Sequence, residues 1–156
     1  MTRKAARGFI IFAHGSRIES ANEGVRAIAA GFAGAGNFPH VEAAFLELGQ
    51  PDLGSAVGRL ANRGVRQIVV IPYFLTLGLH LERDLPALVA RLMAEHPGLE
   101  IRVTKPLEGH PALLDILLDR AGEASEDPEP PAGPGGSAKS PTSSAAASRG
   151  RRRDRE

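Results

Sequence analysis

The sequence contains no cysteine. That absence excludes disulfides, thiolate zinc sites and a cysteine nucleophile, and it is compatible with the cytosol. Long apolar runs are missing too. The longest, residues 68–79, is interrupted by Pro72 and Gly78 and falls far short of the ~20 residues of a membrane span. The basic residues 1–7 precede an apolar stretch of only six residues, 8–13, below the ~7 to 15 of a signal-peptide core. A soluble, cytoplasmic protein with no membrane partner is expected. Net charge is nearly absent, with 19 Lys and Arg against 18 Asp and Glu. No basic face is indicated, and so no nucleic-acid partner.

The carboxyl-terminal part lacks something else. From Gly122 onward there is no Val, Ile, Leu, Phe, Met or Tyr. Such a segment cannot bury enough apolar surface to offset its ordering entropy, so 122–156 is expected to be disordered and 6–121 to form one small domain. The arginine cluster at 149–155 reads as a solvated tail, with a phosphate or acidic partner as the alternative.

Within 6–121 the apolar pattern alternates in type. Short continuous apolar runs at 9–13, 41–46, 67–73 and 99–104 read as strands buried on both faces. Between them lie stripes at helical spacing: Ala21, Val25, Ile28, Ala29 and Phe32; Leu53, Ala56, Val57, Leu60 and Ala61; Leu85, Leu88, Val89, Leu92 and Met93. A last helix is expected over 111–121. Ser20 with Glu23 has the form of a capping box, and Pro51 suits the first turn of the second helix. The order βαβαβαβα implies an α/β fold, a parallel four-stranded sheet flanked by helices with right-handed crossovers, comparable to a flavodoxin-like or Rossmann-like half.

A parallel sheet sends the carboxyl ends of all its strands to one edge, where open α/β folds place their sites. His14 follows the first strand, Glu47 the second, and the loop 73–80 with His80 the third. Gly15 suits a close approach or positive φ after His14, and Ser16 with the next amides could hold an anion. An ordinary tight turn with a hydrogen-bonded histidine fits the same residues. Glu47 reads either as a ligand or base or as a solvated loop residue, and His80 either as a ligand or as a packed histidine. The apolar loop carrying Tyr73, Leu77 and Leu79 fits a large flat ligand or a subunit interface. His110 is expected to help start the last helix, and His40 and His96 to face solvent.

Four stretches carry a family resemblance: AHGSR at 13–17, AFLELGQPDL at 44–53, VVIPYFLTLGLH at 69–80 and GHP at 109–111. Together they resemble the small class II chelatases acting on sirohydrochlorin, which include cobaltochelatases, ferrochelatases and nickel-inserting relatives. The resemblance implies a chelatase-like fold over about residues 8–118 and ATP-independent metal insertion without an organic cofactor. The divalent metal, Co²⁺, Fe²⁺ or Ni²⁺, is then a substrate. His14 and His80 match the family's two active-site histidines, as metal ligands that also help remove pyrrole protons, and Glu47 matches an acidic position beside them. The resemblance further implies a homodimer. Sirohydrochlorin carries several carboxylates, for which Ser16 and Arg17 are the expected partners, with Arg83 less well placed and Tyr73 and Leu79 as apolar contacts. The tail has no histidine, so a metal reservoir is not expected there.

Two other classes share these residues. A carrier would hold metal or tetrapyrrole without turning it over. A phosphoryl-transfer enzyme would use His14 as nucleophile and Arg17 as clamp, and it would need more basic residues than the apolar loop 73–80 offers.

Overall fold

The computed structural model describes residues 6–124. Eight elements alternate as expected: β1 (Arg7–Ala13), α1 (Glu19–Gly36), β2 (Val41–Phe45), α2 (Leu53–Asn62), β3 (Gln67–Pro72), α3 (Leu79–Glu95), β4 (Glu100–Val103) and α4 (Ala112–Glu123). The four strands form one sheet in the order β2-β1-β3-β4, and every pairing is parallel. The chain leaves β1 for one side and then crosses it to reach β3 on the other. The crevice between the carboxyl ends of β1 and β3 is therefore the topological switch point of the sheet.

Apolar side chains pack on both faces. Ile10, Phe12, Ile68, Val70 and Ile101 meet Val57 and Leu60 of α2 and Leu85, Val89 and Leu92 of α3. On the opposite face Ile11, Ala13, Ala43 and Phe45 meet Ala29, Val25 and Phe32 of α1. The stripes expected for α2 and α3 are the buried ones. That of α1 is turned by one position: Asn22, Val25, Ala29 and Phe32 face inward, while Ala21 and Ile28 are exposed.

Helix ends account for the other departures. Ile18 is the N-cap of α1 and no side chain caps it, so Ser20 lies inside the helix and the expected capping box is absent. The helix stops at Asn37, whose φ of 51° is left-handed, a conformation Asn tolerates at a helix end. Pro51 precedes α2 instead of occupying its first turn. The Gln50–Pro51 peptide is cis, and the Asp52 carboxylate caps α2 by accepting from the Ser55 N–H at 2.7 Å. At α4 the expectation for His110 holds, since its Nδ1 accepts from the Ala112 N–H at 3.2 Å. His40 and His96 are half-buried, not solvent-facing. The His40 carbonyl accepts from Phe9 at 2.9 Å, which ties its loop to β1, and the His96 carbonyl accepts from Leu99 at 3.0 Å, which closes the turn after α3.

The Asp52 cap yields a pH-dependent prediction. Hydrogen bonding from Ser55 holds its carboxyl below the ordinary value of 3.8. A depressed folded-state pKa contributes stability that is present above the unfolded value and lost as pH falls through the folded one. Asp52→Ala is expected to cost about 1 kcal/mol at pH 7. Thermal melts should show this difference from the parent shrinking as pH falls below 3.8.

Helix α4 buries none of its residues, and Leu114, Ile116, Leu117 and Leu118 are each more than half exposed. It runs to Glu123, past the domain limit expected at 121. The disorder expected for 122–156 falls, from residue 125 onward, outside the described residues. No described helix is long and apolar enough to cross a membrane.

Candidate functional site

The carboxyl ends of β1 and β2 stay paired beyond the strands themselves. The Leu46 N–H donates to the Ala13 carbonyl at 2.8 Å and the Glu47 N–H to the His14 carbonyl at 3.0 Å. On the other side of β1, the Tyr73 N–H donates to Phe12 at 2.7 Å. This continued pairing sets His14 and Glu47 side by side. His14 Nε2 lies 3.5 Å from Glu47 Oε1, with the two side chains 56% and 58% exposed. The other ring nitrogen, Nδ1, is 3.4 Å from the Gly15 carbonyl oxygen. The imidazole meets the edge of Phe74 at 6.3 Å between centroids, and Phe74 in turn packs on Phe12.

Gly15 makes this proximity feasible. Its φ is +94°, and a Cβ there would overlap the Glu47 carbonyl oxygen. The turn after β1 therefore rests directly on the loop after β2, with no room for a side chain between them. Asn22 of α1 bridges the same two segments, and sequence reasoning missed it. Its Oδ1 accepts from the Ser16 N–H at 2.9 Å, and its Nδ2 donates to the Ser16 and Leu48 carbonyls at 2.9 and 3.1 Å. The signal was available: Asn22 falls in register with Val25, Ala29 and Phe32 on an otherwise apolar face. Next to it, the Arg26 guanidinium, and secondarily the Asn22 amide, hold the Glu19 carboxyl below the usual range.

The remaining expected residues fall as follows. His80 is not in a loop: α3 begins at Leu79 with Gly78 as N-cap, so His80 stands in the first helical turn, exposed. Among the described residues no three His, Asp or Glu side chains are grouped closely enough to hold a metal ion. The structure thus pairs His14 with Glu47 and leaves His80 apart from them. The Ser16 hydroxyl accepts from the Ile18 N–H at 3.0 Å, so one of the amides expected to bind an anion is satisfied within the turn, and the Ser16 N–H is already taken by Asn22. Arg17 and Arg83 are exposed at the starts of α1 and α3.

The same edge of the sheet exposes apolar side chains. Ile18, Leu46, Leu48, Tyr73, Leu75 and Leu79 are all exposed, and each belongs to a segment that follows the carboxyl end of β1, β2 or β3. Two sizeable grooves lie elsewhere. One of about 400 Å³ runs between α1 and β2, and an apolar one of about 370 Å³ between α3 and β4; His14 and Glu47 line neither. The site is an open edge, suited to a broad flat ligand more than to a small enclosed one.

Chemically, an imidazole nitrogen and a carboxylate oxygen at this separation can share one cation. Two ligands each ~2.1 Å from a tetrahedral metal stand roughly 3.4 Å apart. The same imidazole can also serve as a proton acceptor.

Comparison with known proteins decides the family. The CbiX family profile matches residues 8–124. The chain belongs to the CbiX family. Among its relatives, this CbiX chain is 36% identical over 115 residues to the chloroplastic sirohydrochlorin ferrochelatase of Arabidopsis thaliana, covering 74% of the chain and 51% of that protein. It is 32% identical over 136 residues to the sirohydrochlorin cobaltochelatase of Methanopyrus kandleri, covering 74% of the chain and 94% of the relative. The CbiX chain thus spans about half the length of the Arabidopsis protein and nearly all of the archaeal one. A crystal structure from Marinobacter aquaeolei VT8, described as a CbiX protein of cobalamin (vitamin B12) biosynthesis, superposes with a TM-score of 0.67 at 34% identity, covering 76% of this chain and 96% of that one. The sirohydrochlorin chelatase SirB of Bacillus subtilis subspecies spizizenii, in complex with cobalt, gives a TM-score of 0.70 at 25% identity over 75% of this chain and 50% of SirB. The parallel four-stranded chelatase-like fold of this CbiX chain is shared with these two solved structures.

Proposed function

We propose that this chain catalyses ATP-independent insertion of a divalent metal ion into sirohydrochlorin. Co²⁺ is the foremost substrate metal, with Fe²⁺ or Ni²⁺ as the alternatives. The observation that carries the reading is the convergence of His14 Nε2 and Glu47 Oε1 at 3.5 Å, on a sheet edge that also exposes apolar side chains. Relatives named as sirohydrochlorin cobaltochelatases and a ferrochelatase support the substrate and, among the metals, Co²⁺ and Fe²⁺.

Insertion needs a loosely held M²⁺ over one face of the tetrapyrrole and an acceptor for two pyrrole N–H protons. His14 and Glu47 hold the ion, and His80, which stands apart from them at the start of α3 in this structure, is assigned as the second imidazole; once the ion has passed to the ring, the freed imidazoles take the protons and pass them to solvent. Arg17 and Ser16 meet substrate carboxylates, while Tyr73 and Leu79 lie against the ring. A homodimer in the cytoplasm completes the cleft. The exposed apolar face of α4 and the apolar groove between α3 and β4 support association with a second copy.

The test mixes sub-stoichiometric protein with sirohydrochlorin and each metal separately, following the absorbance change on insertion. Many turnovers per protein support catalysis. A single stoichiometric burst would make the protein a carrier, and a rate equal to the protein-free control would overturn the reading.

A further inference from the structure

We infer that Asn22 is the positioning residue of the His14–Glu47 pair. The inference deepens the metal-insertion reading and rests on it for its kinetic arm. Asn22 is 1% exposed and is the one buried polar side chain among the described residues. It sits on a helix face whose other inward positions, Val25, Ala29 and Phe32, are apolar. An amide there must find partners for every donor and acceptor, and three of the four it finds are backbone groups of the two segments that carry the pair.

Its Oδ1 faces one donor, the Ser16 N–H, at 2.9 Å, and its Nδ2 faces three acceptors, the Ser16 carbonyl at 2.9 Å, Glu19 Oε2 at 3.0 Å and the Leu48 carbonyl at 3.1 Å. Exchanging the amide's oxygen and nitrogen would set oxygen against all three acceptors, so the hydrogen-bond network fixes its orientation. Ser16 is two residues after His14, and Leu48 is one after Glu47. One side chain thus ties together the two backbone segments that carry the pair. Leu48 adopts a φ of +54°, unusual for a residue of its kind. That geometry comes with its carbonyl bonded to Asn22 and its side chain left exposed on the sheet edge.

An apolar residue would pack this face of α1 as well without an amide to satisfy. What it would not do is hold the 14–16 turn against the 47–48 loop. Asn22 touches no substrate in this account; it acts through the backbone on the separation and direction of the two ligands.

The experiment uses the full chain with Asn22→Ala, and with Asn22→Ser as the milder variant should the first fail to fold. At a temperature below the melting midpoint of each protein, kcat for metal insertion is expected to fall about tenfold or more, as supporting contacts behind ligands typically dictate, while KM for sirohydrochlorin stays within about twofold. In a Glu47→Gln background the same substitution should have a much smaller effect, because the geometry it protects has already lost its carboxylate. The His14 ring cross-peaks in a ¹H–¹³C spectrum should move and those of His96 should not. Equal losses of kcat in both backgrounds, or unmoved His14 resonances in a folded variant, would overturn the inference. An unmodified protein without insertion activity would instead overturn the metal-insertion reading, and the spectroscopic arm would still decide the role of Asn22.

Discussion

His14→Ala is expected to lower the rate of metal insertion by at least ~10²-fold, because it removes at once a ligand of the incoming ion and an acceptor for a pyrrole proton. The fold should be untouched. His14 is more than half exposed, its close polar neighbours are the equally exposed Glu47 at 3.5 Å and the carbonyl of the adjacent Gly15 at 3.4 Å, and its ring only grazes Phe74. Truncating such a surface side chain changes stability by no more than about 0.5 kcal/mol. Absorbance assays alongside thermal melts separate the two effects. A variant that melts normally and still inserts metal well above the uncatalysed rate would dismiss His14 from the chemistry.

Gly15→Ala should damage both stability and activity, for a different reason. The left-handed backbone at this position, with φ of +94°, is one that residues bearing a Cβ rarely adopt, and the added carbon would also lie 2.9 Å from the carbonyl carbon of Glu47. That neighbour is main chain, fixed by the Glu47 N–H bond to His14 and by the Asn22 bond to Leu48, so it cannot rotate aside. The expected cost is about 3 kcal/mol or more, a fall of roughly 10 °C in Tm for a domain of this size. Insertion should fall as far as in His14→Ala, since the turn can accept the methyl group only by moving away from Glu47. Wild-type melting and activity in this variant would mean that the turn and the loop are not in contact in solution.

Most of the architecture was legible because a sheet buried on both faces and helices buried on one leave different periods in the sequence. Leu53, Ala56, Val57 and Leu60, and likewise Leu85, Val89 and Leu92, declare their faces without ambiguity. For α1 the pattern misled by one residue, since a buried Asn counts as polar in any periodicity while its neighbours Ala21 and Ile28 count as apolar. The sequence reads His80 as a loop residue because Gly78 and the apolar residues before it resemble a connector. Gly78 instead caps a helix whose stripe begins at Leu81. The carboxyl-edge placement of His14 and Glu47 followed from strand parity alone. Their pairing could not be read in the same way, for it depends on β1 and β2 being adjacent in the sheet and on one glycine having no side chain.

The exposure of the His14–Glu47 pair has its own consequence for fidelity. With the metal-ligand role proposed above, and in any assembly that leaves this edge open, an ion could reach these two side chains straight from bulk water and leave by the same route. Such a site ranks ions by their intrinsic appetite for nitrogen and oxygen donors, an order in which Cu²⁺ surpasses Co²⁺ and Ni²⁺, which themselves surpass Fe²⁺. Which ion ends up in the macrocycle would then be decided upstream, by what the cell leaves free in solution.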